Sequence, residues 1–193
     1  MREMFRLFIV ITIFSAVSGG LLATVRNGTQ EKIEYQQLKF VKGPTIKQIM
    51  EGCTNDPLVD RFKIMDGKME RNFFIGQFNG KKNTVAFESY GKGYGGDVGV
   101  IAAVNIETDE IVGVGVTTHS ETPGVGSRAK TDPSFVSQFK GLSMKAPFKV
   151  RTDGGDIDAI SGATFTSRGV CAAVTDLSQI YSRLKDKIIE QMG

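Results

Sequence analysis

Between Arg6 and Arg26 the sequence carries no charged side chain. These 19 residues, Leu7 to Val25, are rich in Leu, Ile, Val and Phe. In a hydrocarbon environment a lone segment must satisfy its own backbone polar groups, so such a run is constrained to a helix. At about 1.5 Å per residue it nearly crosses a hydrocarbon core of roughly 30 Å. The competing reading is a cleaved signal peptide, with Ser18-Gly19-Gly20 and Ala23 near the cleavage point. The length of the run and Arg26 at its far end favour a retained anchor over residues 1–26, touching lipid through residues 7–25. Arg2 and Arg6 predict a cytoplasmic N-terminus. Lys32, Lys39 and Lys42 oppose this weakly, because a long following domain crosses regardless of its charge. The expected topology is single-pass in the cytoplasmic (inner) membrane, with the globular part on the periplasmic or extracellular face.

Residues 27–58 read as a polar, partly helical stalk with short helices. Pro44 opens one helix through about Glu51, and Asn55-Asp56-Pro57 breaks it. Removing Arg2, Arg6, Arg26 and Glu3 from the 24 basic and 21 acidic residues leaves 21 and 20 for the rest. A body so near neutrality offers no electrostatic footprint for nucleic acid. One histidine and two distant cysteines, Cys53 and Cys171, supply no metal-ligand spacing. A Cys53–Cys171 disulfide stays open.

From residue 59 onward the pattern turns to strands. Arg61–Met65 and Met69–Phe78 flank the turn pair Asp66-Gly67; Thr84–Ser89 follows Asn79-Gly80. Val98–Ile106 and Glu110–Thr118 flank Glu107-Thr108-Asp109, and Val and Ile dominate both runs. Short connections make neighbours antiparallel. Pro133–Phe139 predicts a short helix, Phe148–Val150 a strand, and Thr166 to about Ile189 the longest helix of the body. Val170, Val174, Leu177, Ile180, Tyr181 and Leu184 form its core-facing stripe. The fold class is α+β: an antiparallel sheet with packed helices, preceded by one N-terminal transmembrane helix.

Three glycine-rich stretches stand out. Glycine clusters around residues 91–99, 113–126 and 154–169, which suggests tight turns or backbone approaching a ligand. Asp158–Gly169 ends an apolar approach at Ser161-Gly162 and places Thr164, Thr166 and Ser167 at the start of the last helix. A helix start offers unpaired N–H groups to an anion, and Gly162 and Ala163 leave room for one. The simpler reading is an ordinary N-cap. His119–Gly126 follows a predicted strand and is either a stiff binding loop or a turn. Gly91–Gly96 with Tyr94 is a third element; Tyr94 can stack on a flat ligand or simply pack, and Lys92 can offset negative charge there. A Ser–His–Asp hydrolase lacks a nucleophile elbow in this sequence.

Asp158-Ala159-Ile160-Ser161-Gly162-Ala163-Thr164 resembles the Asp-x-x-Ser/Thr-Gly-Ala-Thr/Ser sequence that flavin transferases recognise. His119-Ser120-Glu121-Thr122-Pro123-Gly124-Val125-Gly126 resembles the His-x-Glu-Thr-Pro-Gly-x-Gly loop of the same family, with Val125 where Leu or Met is usual. That family is the covalent FMN-binding domain shared by the Rnf ferredoxin:NAD oxidoreductase and the sodium-pumping NADH:quinone oxidoreductase. Length places this chain nearer the Rnf G subunits than the longer C subunits of the quinone reductase. The resemblance implies that residues 59–193 carry FMN attached covalently through its phosphate to Thr164. It assigns Ser161, Gly162, Ala163, Thr166 and Ser167 to the attachment loop, Glu121, Thr122, Pro123 and Gly124 to the ring, and Arg168 to the phosphate charge. Tyr94 joins them as a candidate contact. It further implies electron relay within a membrane complex whose other subunits include a second covalent-FMN subunit and an iron–sulfur-bearing pair, with a flavin transferase for maturation. Two readings compete. One is a membrane-tethered binding or assembly module without a redox group; the other is an FMN-sensing regulator, which ordinarily carries further signalling segments.

Overall fold

A computed structural model describes residues 2–193. The chain divides into two compact units, residues 1–38 and 39–193. In the first, helix α1 (Arg2–Gln36) is continuous. It runs straight through the part of the stalk expected to be only partly helical, and a π-helical turn, Gln37–Lys42, follows it. Its stretch Arg2–Gln30 is long and apolar enough to cross a membrane. Thr12 and Thr24, inside the uncharged run, each donate a hydroxyl to the carbonyl four residues earlier. Their polar groups are thereby satisfied without water.

The second unit begins with α2 (Gly43–Ile49), which has Pro44 in its first turn as the sequence predicts. Five strands follow: β1 (Arg61–Asp66), β2 (Met69–Phe78), β3 (Lys81–Lys92), β4 (Asp97–Asn105) and β5 (Glu110–Val116). They form one antiparallel meander in the order β1-β2-β3-β4-β5. The outer edge of β5 is covered by the chain at 141–144: Gly141 N–H donates to Ile111 O and Ile111 N–H to Leu142 O, both at 2.8–2.9 Å. Two short helices, α3 (Arg128–Thr131) and α4 (Pro133–Ser137), precede this segment. The last helix, α5, spans Thr164–Met192.

Register decides what each sheet face does. Val85, Phe87, Ser89 and Gly91 of β3 lie on one face with Val98, Val100, Ala102 and Val104 of β4 and with Val114 and Val116 of β5. Helix α5 covers that face with its predicted stripe: Val170, Val174, Leu177, Ile180, Tyr181 and Leu184 are all buried. Phe87 stacks against Tyr181 at 6.4 Å. Each Å² of apolar surface this layer removes from water contributes about 25 cal/mol to folding. The opposite face takes α2. A Cβ on Gly115 would lie 2.3 Å from Thr45, and one on Gly113 would lie 2.9 Å from Ile49 O, so β5 needs glycine there for α2 to lie flush.

The fold is α+β, as expected. Within the second unit it departs from expectation at Phe148–Val150 and at α3. Phe148–Val150 is not a strand; Val150 makes only an isolated bridge to Ile157 and leads into a 3₁₀ turn, Arg151–Asp153. Helix α3 has no sequence signal, being one turn long. Cys53 and Cys171 are both free thiols. Burial pushes the Cys171 thiol up to about 12, so it behaves as a small apolar core group.

Candidate functional site

The site forms where the three glycine-rich stretches meet at the first turn of α5. Gly162 adopts φ +78°, a conformation that side-chain-bearing residues rarely take, and turns the chain into the helix. Ala163 stands at the N-cap and can supply no side-chain acceptor. The first backbone bond into the helix runs from Ser167 N–H to Ala163 O at 3.0 Å. The N–H groups ahead of it face outward at the positive end of a 29-residue helix. Thr164 is the first helical residue and is half-buried. Its hydroxyl makes no hydrogen bond among the described residues.

The other two hydroxyls of the cluster work differently. Ser167 is fully buried; its Oγ donates to Ala163 O and accepts from Ile160 N–H, both at 3.0 Å. It closes the loop 160–163 onto the helix. Thr166, also buried, donates to Glu121 Oε2 at 2.5 Å. Glu121 is itself only 6% exposed, and its Oε1 accepts from Gly95 N–H at 2.8 Å. One buried carboxylate thus joins the helix start, the 119–126 loop and the 93–96 loop. His119 sits behind it, with Nδ1 accepting from Glu121 N–H at 3.3 Å.

The glycines follow from this closeness. A Cβ on Gly93 would lie 2.4 Å from Glu121 Oε1, and one on Gly126 would lie 2.6 Å from Oε2. Gly91 and Gly169 let β3 and α5 touch backbone to backbone: a Cβ on Gly91 would lie 1.9 Å from Gly169 O. These glycines accommodate the protein's own atoms, whereas the turns at Gly124 and Gly162 leave open space beside the backbone.

The remaining candidates lie outward. Ser161, Gly162, Thr122, Pro123 and Gly124 are exposed, and Ala163 is buried. Tyr94 is 78% exposed and its ring centre lies 6.4 Å from that of Phe165, which is 62% exposed. Val125 is exposed and approaches Gly162. Tyr94 and Phe165 form an exposed aromatic pair, Phe165 being next in sequence to Thr164, and Val125 lies against the turn at Gly162. Phe165 is a member that the sequence reading misses. A signal for it exists: it falls off the Val170–Leu184 stripe, so an aromatic at that position faces solvent.

Charges around the site are already paired. Arg168 grips Asp153 through both Nε and Nη2, at 2.7 Å each. That contact holds the Asp153 carboxyl below its ordinary range and raises the guanidinium. Lys92 pairs with Asp97 at 2.6 Å. The Asp158 side chain pairs with Arg151, while the Gln138 amide clamps its main chain, accepting from Asp158 N–H at 2.7 Å and donating to Asp158 O at 3.2 Å. The helix start therefore supplies the positive potential for an anion. Among the described residues no group of three or more His, Cys, Asp or Glu side chains is placed to hold a metal ion.

A half-buried hydroxyl at an open helix start, next to exposed aromatic surface, suits a phosphate that carries a flat apolar ring. Comparison with known proteins bears on this. The family model described as the FMN-binding domain matches residues 93–179, which contain all three site stretches from Gly93 on. The G subunit of the ion-translocating oxidoreductase complex of Vibrio parahaemolyticus is 30% identical over 95% of this chain and 92% of its own length. The chain belongs to the G-subunit family of ion-translocating oxidoreductase complexes. A second member of that family, from Shewanella oneidensis, is 28% identical over the same shares of the two chains. Among solved structures, NqrC of Shewanella oneidensis superposes with a TM-score of 0.51 and 27% identity, covering 70% of this chain and 72% of its own. The likeness to the G subunits thus extends over the anchor as well as the domain, whereas the structural likeness to NqrC covers a smaller share.

Proposed function

We propose that this chain is the membrane-anchored, flavin-carrying G subunit of an ion-translocating ferredoxin:NAD oxidoreductase, holding FMN esterified through its phosphate to Thr164. The observation that carries the reading is an unengaged hydroxyl at an open helix start, with the exposed aromatic Phe165 next to it in sequence and Tyr94 against Phe165. In such a phosphodiester one negative charge remains, and the first turn of α5 faces it. Tyr94, Phe165 and Val125 are the side chains for the ring, with Thr122, Pro123 and Gly124 as the exposed rim. Glu121 acts inward, fixing the two loops on the helix through Gly95 and Thr166. When bound, FMN takes and gives electrons singly, which lets it link one-electron clusters to other flavins.

The remainder of the reading rests on family membership and the anchor. The domain stands on the periplasmic or extracellular face with the N-terminus in the cytoplasm, as Arg2 and Arg6 favour. Its partners are the other membrane subunits, including a second covalent-FMN subunit and an iron–sulfur-bearing pair, and a flavin transferase completes it. Ion movement belongs to the assembled complex. The corresponding subunit of the sodium-pumping quinone reductase is the second reading, favoured by the likeness to NqrC. The match over 92% of the Vibrio parahaemolyticus G subunit favours the first.

Intact-mass analysis of the denatured chain, made together with the transferase, tests the attachment. The expected result is a mass increase matching esterified FMN in the wild type and none in Thr164→Val. An unmodified wild type, with a known substrate modified in parallel, removes the covalent reading.

A further inference from the structure

On the sheet face opposite α5, a partly buried polar cluster has no part in the site described above. Glu88 of β3, its side chain 12% exposed, is the centre. One carboxylate oxygen accepts from Lys42 Nζ and from Tyr90 OH, the latter at 2.9 Å. The other accepts from Thr117 Oγ1 at 2.5 Å. Thr117 is fully buried and ends the β5 edge from which the 119–126 loop departs. Its carbonyl accepts from Lys130 Nζ, on α3 at the far side of that loop, at 2.7 Å. Glu88 of β3 and Thr117, the residue after β5, lie on either side of β4, and a side chain at Gly99 would stand between them. A Cβ there would lie 2.7 Å from Thr117 Oγ1, 2.5 Å from Thr118 Oγ1 and 3.1 Å from the Tyr90 ring.

Lys42 is the last residue of the π-helical turn through which the chain from α1 enters the domain. A π turn inserts an extra residue into the helical spacing and so re-aims the side chains that follow it. The amine on one side and the loop root on the other meet at a single carboxylate. An ion pair this sheltered is weakly screened, and removal of one partner strands the other.

We propose that Lys42 and Glu88 are positioning residues for the 119–126 loop, so that the entry of the anchor chain into the domain sets the root of the loop that faces the flavin. Glu88 holds Thr117, Lys130 closes the loop behind it, and Lys42 holds Glu88. The flavin consequence rests on the function proposed above; the link itself does not.

Hydrogen exchange followed by mass spectrometry on the full chain in nanodiscs separates the two. In Lys42→Met and in Thr117→Val, amides of residues 117–127 exchange about ten-fold faster, a cost of about 1.4 kcal/mol in local opening. Those of 170–188 in α5 stay as in wild type. The double variant shows no further increase, and Lys42→Arg restores the protection. Unchanged loop exchange in Lys42→Met, an equal rise across the whole domain, or additive effects in the double variant would each overturn the link. In the flavin-loaded protein, the midpoint potential moves in the same direction in both single variants. Loop exchange that rises while the potential holds removes the flavin consequence alone. Rising exchange in the variants of a preparation whose wild type takes up no flavin sinks the cofactor reading and leaves the link standing.

Discussion

Two threonines two positions apart have opposite surroundings. Thr164 is half-buried with a hydroxyl free of hydrogen bonds among the described residues, whereas Thr166 is 1% exposed and bonded to a buried carboxylate. Replacing either by valine keeps the shape and deletes one hydroxyl. Thr164→Val is expected to abolish attachment and to change stability by no more than about 0.5 kcal/mol, the usual range for a site without structural contacts. Thr166→Val leaves Glu121 Oε2 without its donor inside the protein, which costs about 1–3 kcal/mol. Urea unfolding of the two variants side by side checks this. Equal destabilisation would mean that Thr164 has a structural partner after all. The sequence groups these hydroxyls together, and the family pattern places them all in one attachment loop. The resemblance picks out Thr164 among them, but only the fold shows that Thr166 and Ser167 hold the loops, because burial and partner are properties of the packed state.

At the scale of elements, the crossing of β3 and α5 is made by Gly91 and Gly169, which sit backbone on backbone. Gly91→Ala puts a methyl 1.9 Å from Gly169 O, a rigid carbonyl in a helix. Neither element can yield without moving the first turn of α5, so the expected cost is at least about 1–3 kcal/mol, with weakened flavin attachment beside it. Denaturant midpoints together with the mass assay check both arms; a stable, fully modified variant would sink the argument. Which elements exist was largely legible. The turn pairs Asp66-Gly67 and Asn79-Gly80 and the alternating Val and Ile runs mark the meander, and the Val170–Leu184 stripe marks α5 to within a few residues. Helix α3 was not, because one turn carries no period. The continuous helix past Arg26 was not either, since residues 27–36 lack an apolar stripe to announce it. Glycine-rich stretches read as turns or as backbone approaching a ligand because sequence cannot tell a gap from a contact. Gly93, Gly95 and Gly126 are small to admit Glu121 and Ser120.

Across the whole domain, two aspartates tie two turns of the sheet, β1–β2 and β4–β5, to the C-terminal half of α5, far along the helix from Thr164. Asp66, at the β1–β2 turn, accepts from Arg183 and from Arg71, each at 2.9 Å. Asp109, at the β4–β5 turn, accepts from Lys185 at 2.5 Å and from Tyr181 at 2.7 Å. The Arg183 hydrogen bond, with Arg71 behind it, holds the Asp66 carboxyl below its ordinary value of 3.8. Lys185, with Tyr181 behind it, does the same for Asp109. A carboxyl lowered on folding stabilises the fold fully above its unfolded value, and the contribution drains away as the pH falls through the lower, folded one. Stability is therefore expected to be flat from neutrality down to about pH 5 and to fall below about pH 4. Because Arg183 and Lys185 are partly exposed, each pair contributes only about 1 kcal/mol. Asp66→Asn with Asp109→Asn is expected to lower stability at pH 7 and to flatten the acid limb, which thermal unfolding between pH 3 and 7 measures. An acid limb of unchanged steepness in the double variant would place the titrating groups elsewhere, with Asp153 beside Arg168 the next to test, and would make the flavin end of α5 the first to loosen.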